Sequence, residues 1–307
     1  MKIPVVGTGT AVYDILLKLT NFPVEDEAAG VIEQKTQGGG MTATAMAAVS
    51  RLGVNCAFFG NLGDDDTGRK ILQGLIDEGI NVDGVEMLPG YVNTVSYVLI
   101  KSKNGSRTFL ANKENTPAIE LTDIRKQLID NAEILHIDGG HYEDDIRIAR
   151  YAREKGVTVS YDACHGDREI KNGCRLLPLC DIVITSADYP AKVCGKKTLE
   201  ENMRELSKYG MKVLITTLGD KGCAALIDGE IRYFDAYKVD VVDTTGAGDV
   251  FHGAFVYGYC KGFSLEECIR FASATAALKC TKIGGRSGIP TADEVWQFIN
   301  STTEKSA

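Results

Sequence analysis

No stretch of the 307-residue sequence is strongly basic: 34 lysines and arginines face 42 acids, for a net charge of −8. Nucleic acid needs a cationic surface, so that class of partner is excluded, and any phosphate must be held by backbone N–H groups and a few cations. No apolar run approaches the roughly 20 residues that span a bilayer, so no membrane role is expected. Nine cysteines are present, at 56, 164, 174, 180, 194, 223, 260, 268 and 280, yet none forms C-x-x-C and no spacing suits a zinc site. Their odd number, and a first apolar run (Ile3 to Val6) that reads as a core strand and not as a secretory leader, predict reduced thiols in the cytoplasm. Repeats, low-complexity tracts and linkers are also lacking, so residues 1–307 are expected to form one domain.

What is present is a regular alternation. Strand patterns at Ile134–Ile137, Val157–Tyr161, Ile182–Thr185 and Val213–Thr216 are separated by helical patterns near 143–155, 166–177 and 198–209. This predicts an α/β fold with a mostly parallel sheet and helices on both faces, closed by an edge hairpin at Cys223–Ile227 and Ile231–Phe234. Ligand loops in such sheets lie beyond the strand carboxyl ends. His136, Asp138, Gly139, Gly140, His141, Asp162, Ser186 and the run Thr217 to Gly222 all fall there. Of the two histidines, His136 is expected to be packed and His141 to face a substrate.

Gly7-Thr8-Gly9-Thr10-Ala11-Val12 fails the dinucleotide pattern because Val12 takes the place of its last glycine. Asp14 follows, either a ligand contact or a turn acid. Gly38-Gly39-Gly40 opens an Ala-rich helix that stops at Gly53, which makes a polar-ligand entrance or a close helix packing. Asp64, Asp65 and Asp66 read as a solvated helix start, with no partner ligands for a metal. A hairpin, residues 94–100 and 107–110 about the turn Lys103-Asn104-Gly105-Ser106, can join segments 12–18 and 30–37 in a second small sheet over the binding edge.

The densest segment is Asp243-Thr244-Thr245-Gly246-Ala247-Gly248-Asp249, read as the exit of a strand (Tyr237 to Val242) and the entrance of a helix with apolar residues at 250, 251, 254 and 255. Free N–H groups of a first helical turn attract anions. Asp249 either complements the helix dipole or places a carboxylate, expected to be ionised at neutral pH, beside a bound anion.

Gly38-Gly39-Gly40 together with Asp243 to Asp249, Phe251, Gly253 and Phe255 resemble the two signatures of the ribokinase-like (PfkB-type) carbohydrate kinases, and the order and spacing match along essentially the whole chain. The resemblance implies a three-layer α/β/α core with a β-sheet lid from segments near 12–37 and 91–114, and ATP-dependent phosphorylation of a sugar hydroxyl. It implies Asp249 as catalytic base, with Gly246, Ala247 and Gly248 as anion hole. Asp14, Gly39, Gly40, Arg107, Asn112 and His141 are then substrate contacts, and Thr217, Gly219, Gly222 and Ala277 nucleotide contacts. Magnesium is expected with ATP, a monovalent cation such as potassium near Asp243, Thr245 and the loop around Cys280 to Gly288, and a homodimer through the lid.

Three departures stand beside this. The asparagine usual after the first glycine motif is replaced within Met41-Thr42-Ala43-Thr44, and the family's Asn-x-x-Glu pattern by Ser186-Ala187-Asp188-Tyr189. Lys238 to Ala254, with Lys279-Cys280-Thr281 and Gly284 to Pro290, is similar to the sulfofructose kinase branch, but Gly139-Gly140-His141 stands where that branch carries an arginine. A neutral ketose or pentose therefore remains an equal candidate. A nucleoside kinase, or a non-catalytic nucleotide or sugar sensor on the same fold, are the alternatives.

Overall fold

The computed structural model describes residues 2–103, 105–112, 115 and 117–303; Asn104 in the expected turn and Lys113 and Glu114 in the expected lid lie outside them. Among the described residues the strands are β1 Val5–Thr8, β2 Val12–Leu19, β3 Val31–Gly39, β4 Cys56–Gly63, β5 Asn81–Leu88, β6 Val95–Lys101 and β7 Arg107–Ala111. They continue with β8 Ile134–Ile137, β9 Thr158–Ala163, β10 Ile182–Thr185, β11 Val213–Thr217, β12 Cys223–Ile227 and β13 Glu230–Phe234. The helices are α1 Met41–Arg51, α2 Asp66–Asp77, α3 Asp123–Asp130, α4 Tyr142–Glu154, α5 Gly166–Lys171, α6 Tyr189–Cys194, α7 Leu199–Ser207, α8 Ala247–Cys260, α9 Leu265–Lys279 and α10 Ala292–Thr303. No helix of the described residues is long and apolar enough to cross a membrane.

The main sheet runs β13-β12-β11-β10-β9-β8-β1-β4-β5. It is parallel from β5 to β11, and the expected edge hairpin β12–β13 is antiparallel. Successive strand residues point to opposite faces, so Val5 and Ile134 pack with α1, α8 and α9 while Val6 and Leu135 pack with α4 and α7. Two buried layers therefore sandwich the sheet, as the alternation predicted. Chain order reverses at β1, which lies between β8 and β4, and a crevice opens beyond the strand ends at such a point.

The second sheet, β3-β2-β6-β7, pairs Asp14 with Gln37 across β2 and β3, and its buried Leu16, Val98 and Ile100 pack on Ile283. It thereby sits against the loop that follows α9, to which Lys35 Nζ also donates at Ser287 Oγ, 2.6 Å.

Two expectations are corrected, and one strand was not foreseen. Tyr237 to Val242 forms no strand, because Val242 N and Asp243 N both donate to Cys280 O (2.9 and 3.2 Å), which ties the segment to the end of α9 instead of to a sheet. The helix expected over 166–177 ends at Lys171, where Gly173 and Cys174 turn to positive φ. β5, an edge strand with Asp83 and Glu86 on it, carries too little apolar alternation to be read from sequence.

Candidate functional site

Asp138, just beyond β8, ties the switch point together. Its Oδ2 accepts from Thr10 N (2.7 Å), Thr42 N (3.2 Å) and Thr42 Oγ1 (2.9 Å), and its Oδ1 from Gly140 N (2.8 Å). One buried carboxylate thus joins the turn after β1, the start of α1 and the loop after β8. Thr42, in the segment that lacks the family's asparagine, is a partner of this clamp.

Asp14 and the first glycine motif meet on one side of the crevice. A Cβ on Gly39 would stand 2.0 Å from Asp14 Oδ2, so only glycine leaves room for that carboxylate. Gly40 is the residue before the first turn of α1. Beneath them lies Arg286, 4% exposed, with Nη2 on Gly39 O at 3.1 Å. Burial raises the Asp14 carboxyl to about 7, against the pull of Arg286, and burial lowers Arg286 to about 10. The Gln37 amide lies beside Asp14 and helps to hold its carboxyl down, while Arg286 Nε is buried here with no hydrogen-bond partner among the described residues. Unpaired buried polar atoms cost stability until a ligand supplies partners. Neither residue was identified from sequence; the Gly284 to Gly288 motif held the signal for Arg286, but only the fold brings it under Gly39.

The second motif turns at Gly246, which takes φ 73° and has Gly285 Cα where a Cβ would lie, 2.8 Å away. Any side chain there would be strained and would push away the 284–288 loop. α8 starts immediately, and Gly248 has open space beside it. Ala247 N donates inward to Thr244 O at 3.2 Å, so of the three residues expected to form the anion hole Ala247 has its N–H partly engaged in the turn.

Asp249 is half-buried in the first turn of α8. Burial raises its carboxyl to about 7, Asp162 adds to the shift, and His252 and Arg107 oppose it. This corrects the expectation of a carboxylate fully ionised at neutral pH, which took account of the helix start but not of the buried acid on β9. Behind it, Asp162 pairs with His252 Nε2 at 3.2 Å, and the His252 ring lies 5.6 Å from that of His136. His136 bonds Ser160 Oγ at 3.1 Å and is lowered to about 4, chiefly by burial. It is a packed residue, as expected.

The remaining expected residues divide. Arg107, on β7, reaches Thr244 Oγ1 at 3.0 Å, which brings the small sheet to the Asp249 turn, beside the anion site. Asn112 is not brought to the crevice: its amide bonds Asn93 O and Val95 N within the small sheet. His141 precedes α4 and lines a small cleft with Gly9, Ala11 and Asn61. At Gly139 and Gly140, where an arginine was lacking in the sequence, Arg168 arrives from α5 with Nη1 on both carbonyls. Thr217 ends β11, and Gly219 and Gly222 close the turn to β12 through Leu218 N on Gly222 O, 2.7 Å. Ala277 lies in the last turn of α9.

The sites implied for metals fit poorly. Asp188 is paired with Lys192 at 2.8 Å and with Ser186, and Tyr189 is fully buried, so this segment offers nothing for magnesium. Asp64 and Asp66 pair with Arg69 while Asp65 caps α2, the expected helix start. Around Asp243, Oδ1 accepts from Thr245 N (2.8 Å) and Oγ1 (2.6 Å), Oδ2 from Gly284 N (2.8 Å), and the main-chain carbonyl from Lys279 Nζ (2.9 Å). Each Asp243 oxygen already accepts from a donor of the chain, and the carbonyl's donor is itself a cation, so a potassium ion on that carbonyl would meet the Lys279 ammonium.

Known proteins share the sequence pattern and the fold. The family model described as "pfkB family carbohydrate kinase" matches residues 2–292. An ATP-dependent ribose-1-phosphate kinase of Halopiger xanaduensis is 28% identical over 299 residues, 96% of this chain and 98% of that one. Fructokinase-1 of Oryza sativa is 32% identical over 287 residues, 86% and 88% of the two chains. Among solved structures, a putative ribokinase from Agrobacterium tumefaciens has TM-score 0.90 at 26% identity, covering 99% of each chain. Arabidopsis thaliana ribokinase, complexed with ribose and ATP, has TM-score 0.83 at 28% identity, covering 97% of this chain and 99% of its own. A match over nearly the full length, on a crevice where both glycine motifs and two buried carboxylates with raised pKa converge, places this chain in the pfkB family of carbohydrate kinases.

Proposed function

We propose that this protein transfers the γ-phosphoryl group of ATP to a hydroxyl of a small sugar, with Asp249 as the base that takes the hydroxyl proton. The observation that carries this is the Asp249 carboxyl raised to about 7 in the first turn of α8, next to the Gly246 turn. A carboxylate with a pKa near the working pH is a better proton acceptor than one near 4. Backbone donors at Gly246 and Gly248, with the weaker Ala247, stabilise charge on the transferring phosphoryl group without reorganising.

Asp14, Gly39 and Gly40 hold the sugar, one of whose hydroxyls satisfies Arg286 Nε. Thr217, Gly219, Gly222 and Ala277 border the nucleotide, and magnesium enters as the ATP complex. The small sheet acts as a lid: Arg107 and Lys35 bridge it to the Thr244 and Ser287 loops, so closure shields the phosphoryl group from water. Its exposed Tyr97 and Leu110, paired across β6 and β7, supply an apolar face for pairing with a second copy.

A neutral pentose or ketose is the first reading of the acceptor. An anionic sugar is the second, favoured by Arg168 at the Gly139–Gly140 carbonyls beside His141. A coupled ADP-release assay with ribose, fructose, ribose 1-phosphate, sulfofructose, 2-keto-3-deoxygluconate and adenosine separates these from a nucleoside kinase. Saturable ATP binding without ADP release on any acceptor would instead identify a sensor.

A further inference from the structure

The resemblance implies a monovalent cation at Asp243 and Thr245, and the residues there do not fit one. We infer that the side-chain ammonium of Lys279 is the cation of this loop, so that phosphoryl transfer in this protein proceeds without potassium. The inference rests on the kinase reading above and concerns how the anion site is charged.

Lys279 is the last residue of α9 and is fully buried. A buried lysine is rare unless it is paired, because removing an ammonium from water is costly. This one is directed at the turn: Nζ donates to the carbonyl of Asp243 at 2.9 Å. Asp243 supplies the compensating negative charge, and its carboxylate is itself fixed by Thr245 N, Thr245 Oγ1 and Gly284 N. Burial pushes the ammonium below its usual range and Asp243 opposes that push.

A free monovalent ion needs a shell of oxygens turned towards it. Here each of the three Asp243 oxygens already accepts from a donor, and a second cation on the Asp243 carbonyl would be placed against the buried ammonium. The position also suits the chemistry. Asp243 is three residues before Gly246, whose turn packs on Gly285, and Asp249 and Arg107 are close enough to influence the ammonium. A positive charge tethered by a side chain therefore stands behind the turn where phosphoryl charge develops, permanently and with no binding equilibrium.

The test compares the wild-type chain with Lys279→Met, which keeps the length and removes the charge. Turnover is measured on MgATP and the accepted sugar in KCl, RbCl, NaCl or choline chloride at equal ionic strength, and melting is followed in the same salts. The wild type should have the same kcat in all four, within about twofold, and the same Tm. Lys279→Met should lose about 10²-fold in kcat in choline. Potassium or rubidium should restore at least about tenfold of that and raise the variant's Tm by a few degrees, as expected for a ligand that binds the folded state.

Wild-type activation of several-fold by potassium over choline would overturn the inference. So would a folded variant whose kcat in potassium and rubidium is no higher than in choline. If Lys279→Met does not fold, the wild-type salt series decides alone. If no acceptor supports turnover, the melting series still reads out cation binding, so failure of the kinase reading remains separate from failure of this one.

Discussion

At the Asp243 turn each carboxylate oxygen and the backbone carbonyl has a donor, and the charge of Lys279 is already in place. At the Asp14 end Arg286 Nε is buried and unpaired among the described residues, and Asp14 is pushed to about 7 by burial, against Arg286 and the Gln37 amide. One end of the crevice is complete without a ligand, and the other is unsatisfied until hydroxyls arrive. This suits the two tasks: charge stabilisation gains from groups that do not reorganise, whereas recognition of a polyol gains from unpaired polar groups that reject the wrong shape.

The contrast can be broken at several points. Asp249→Asn should have the largest effect, a fall in kcat on the order of 10³-fold with the KM for ATP little changed; near-normal turnover would remove Asp249 from the chemistry. Gly246→Ala should follow, with about 10²-fold lower kcat, because the added methyl meets Gly285 and shifts the donors; steady-state kinetics beside a melting curve separate this from unfolding. Asp14→Asn should act on the other end, lowering kcat/KM for the sugar about 10- to 100-fold while ATP binding measured by calorimetry stays the same. If Asp14→Asn changed ATP affinity and not sugar kinetics, the assignment of the two ends would be reversed.

pH sharpens the same comparison. The base must be ionised, so kcat/KM should rise with pH up to about 7 and level off above it. For stability the sign is opposite. A carboxyl raised from 3.8 to about 7 in the folded state binds its proton there more tightly than in the unfolded chain, so its cost grows from about pH 4 to pH 7 and then stays constant. Asp249→Asn should therefore melt with the wild type at pH 4 and about 2–4 °C above it at pH 8. The smallest effect is expected at Asn112→Ala, within about twofold in sugar KM, since that amide binds the small sheet; a large change in KM would return it to the crevice.

Legibility in the sequence followed the range of the interactions. Strand and helix periodicities are local, and β8, β10, β11, α4 and α7 were placed to within about two residues, although α5 stops six residues short of its expected end and α6 was not foreseen. The strand expected at 237–242 failed because Cys280 O, nearly forty residues on, captures its N–H groups. Both glycine motifs were visible because backbone conformation and close approach demand that residue at that spot. The burial of Arg286 under Gly39, the arrival of Arg168 at the Gly139–Gly140 carbonyls and the direction of Lys279 depend on side chains distant in sequence, and no window of residues contains them.

By itself, then, the sequence determined the α/β layering, the small sheet, and the two turns between which ligands must lie, since each follows from patterns a few residues long. Tertiary structure alone decided the state of the groups in those turns. It raised Asp249 towards neutrality by placing Asp162 and the interior around it, left Arg286 Nε without a partner under Gly39, and set the Lys279 ammonium behind the Gly246 turn. Burial and long-range charge fix proton affinity and hydrogen-bond satisfaction, and neither exists until the chain has folded.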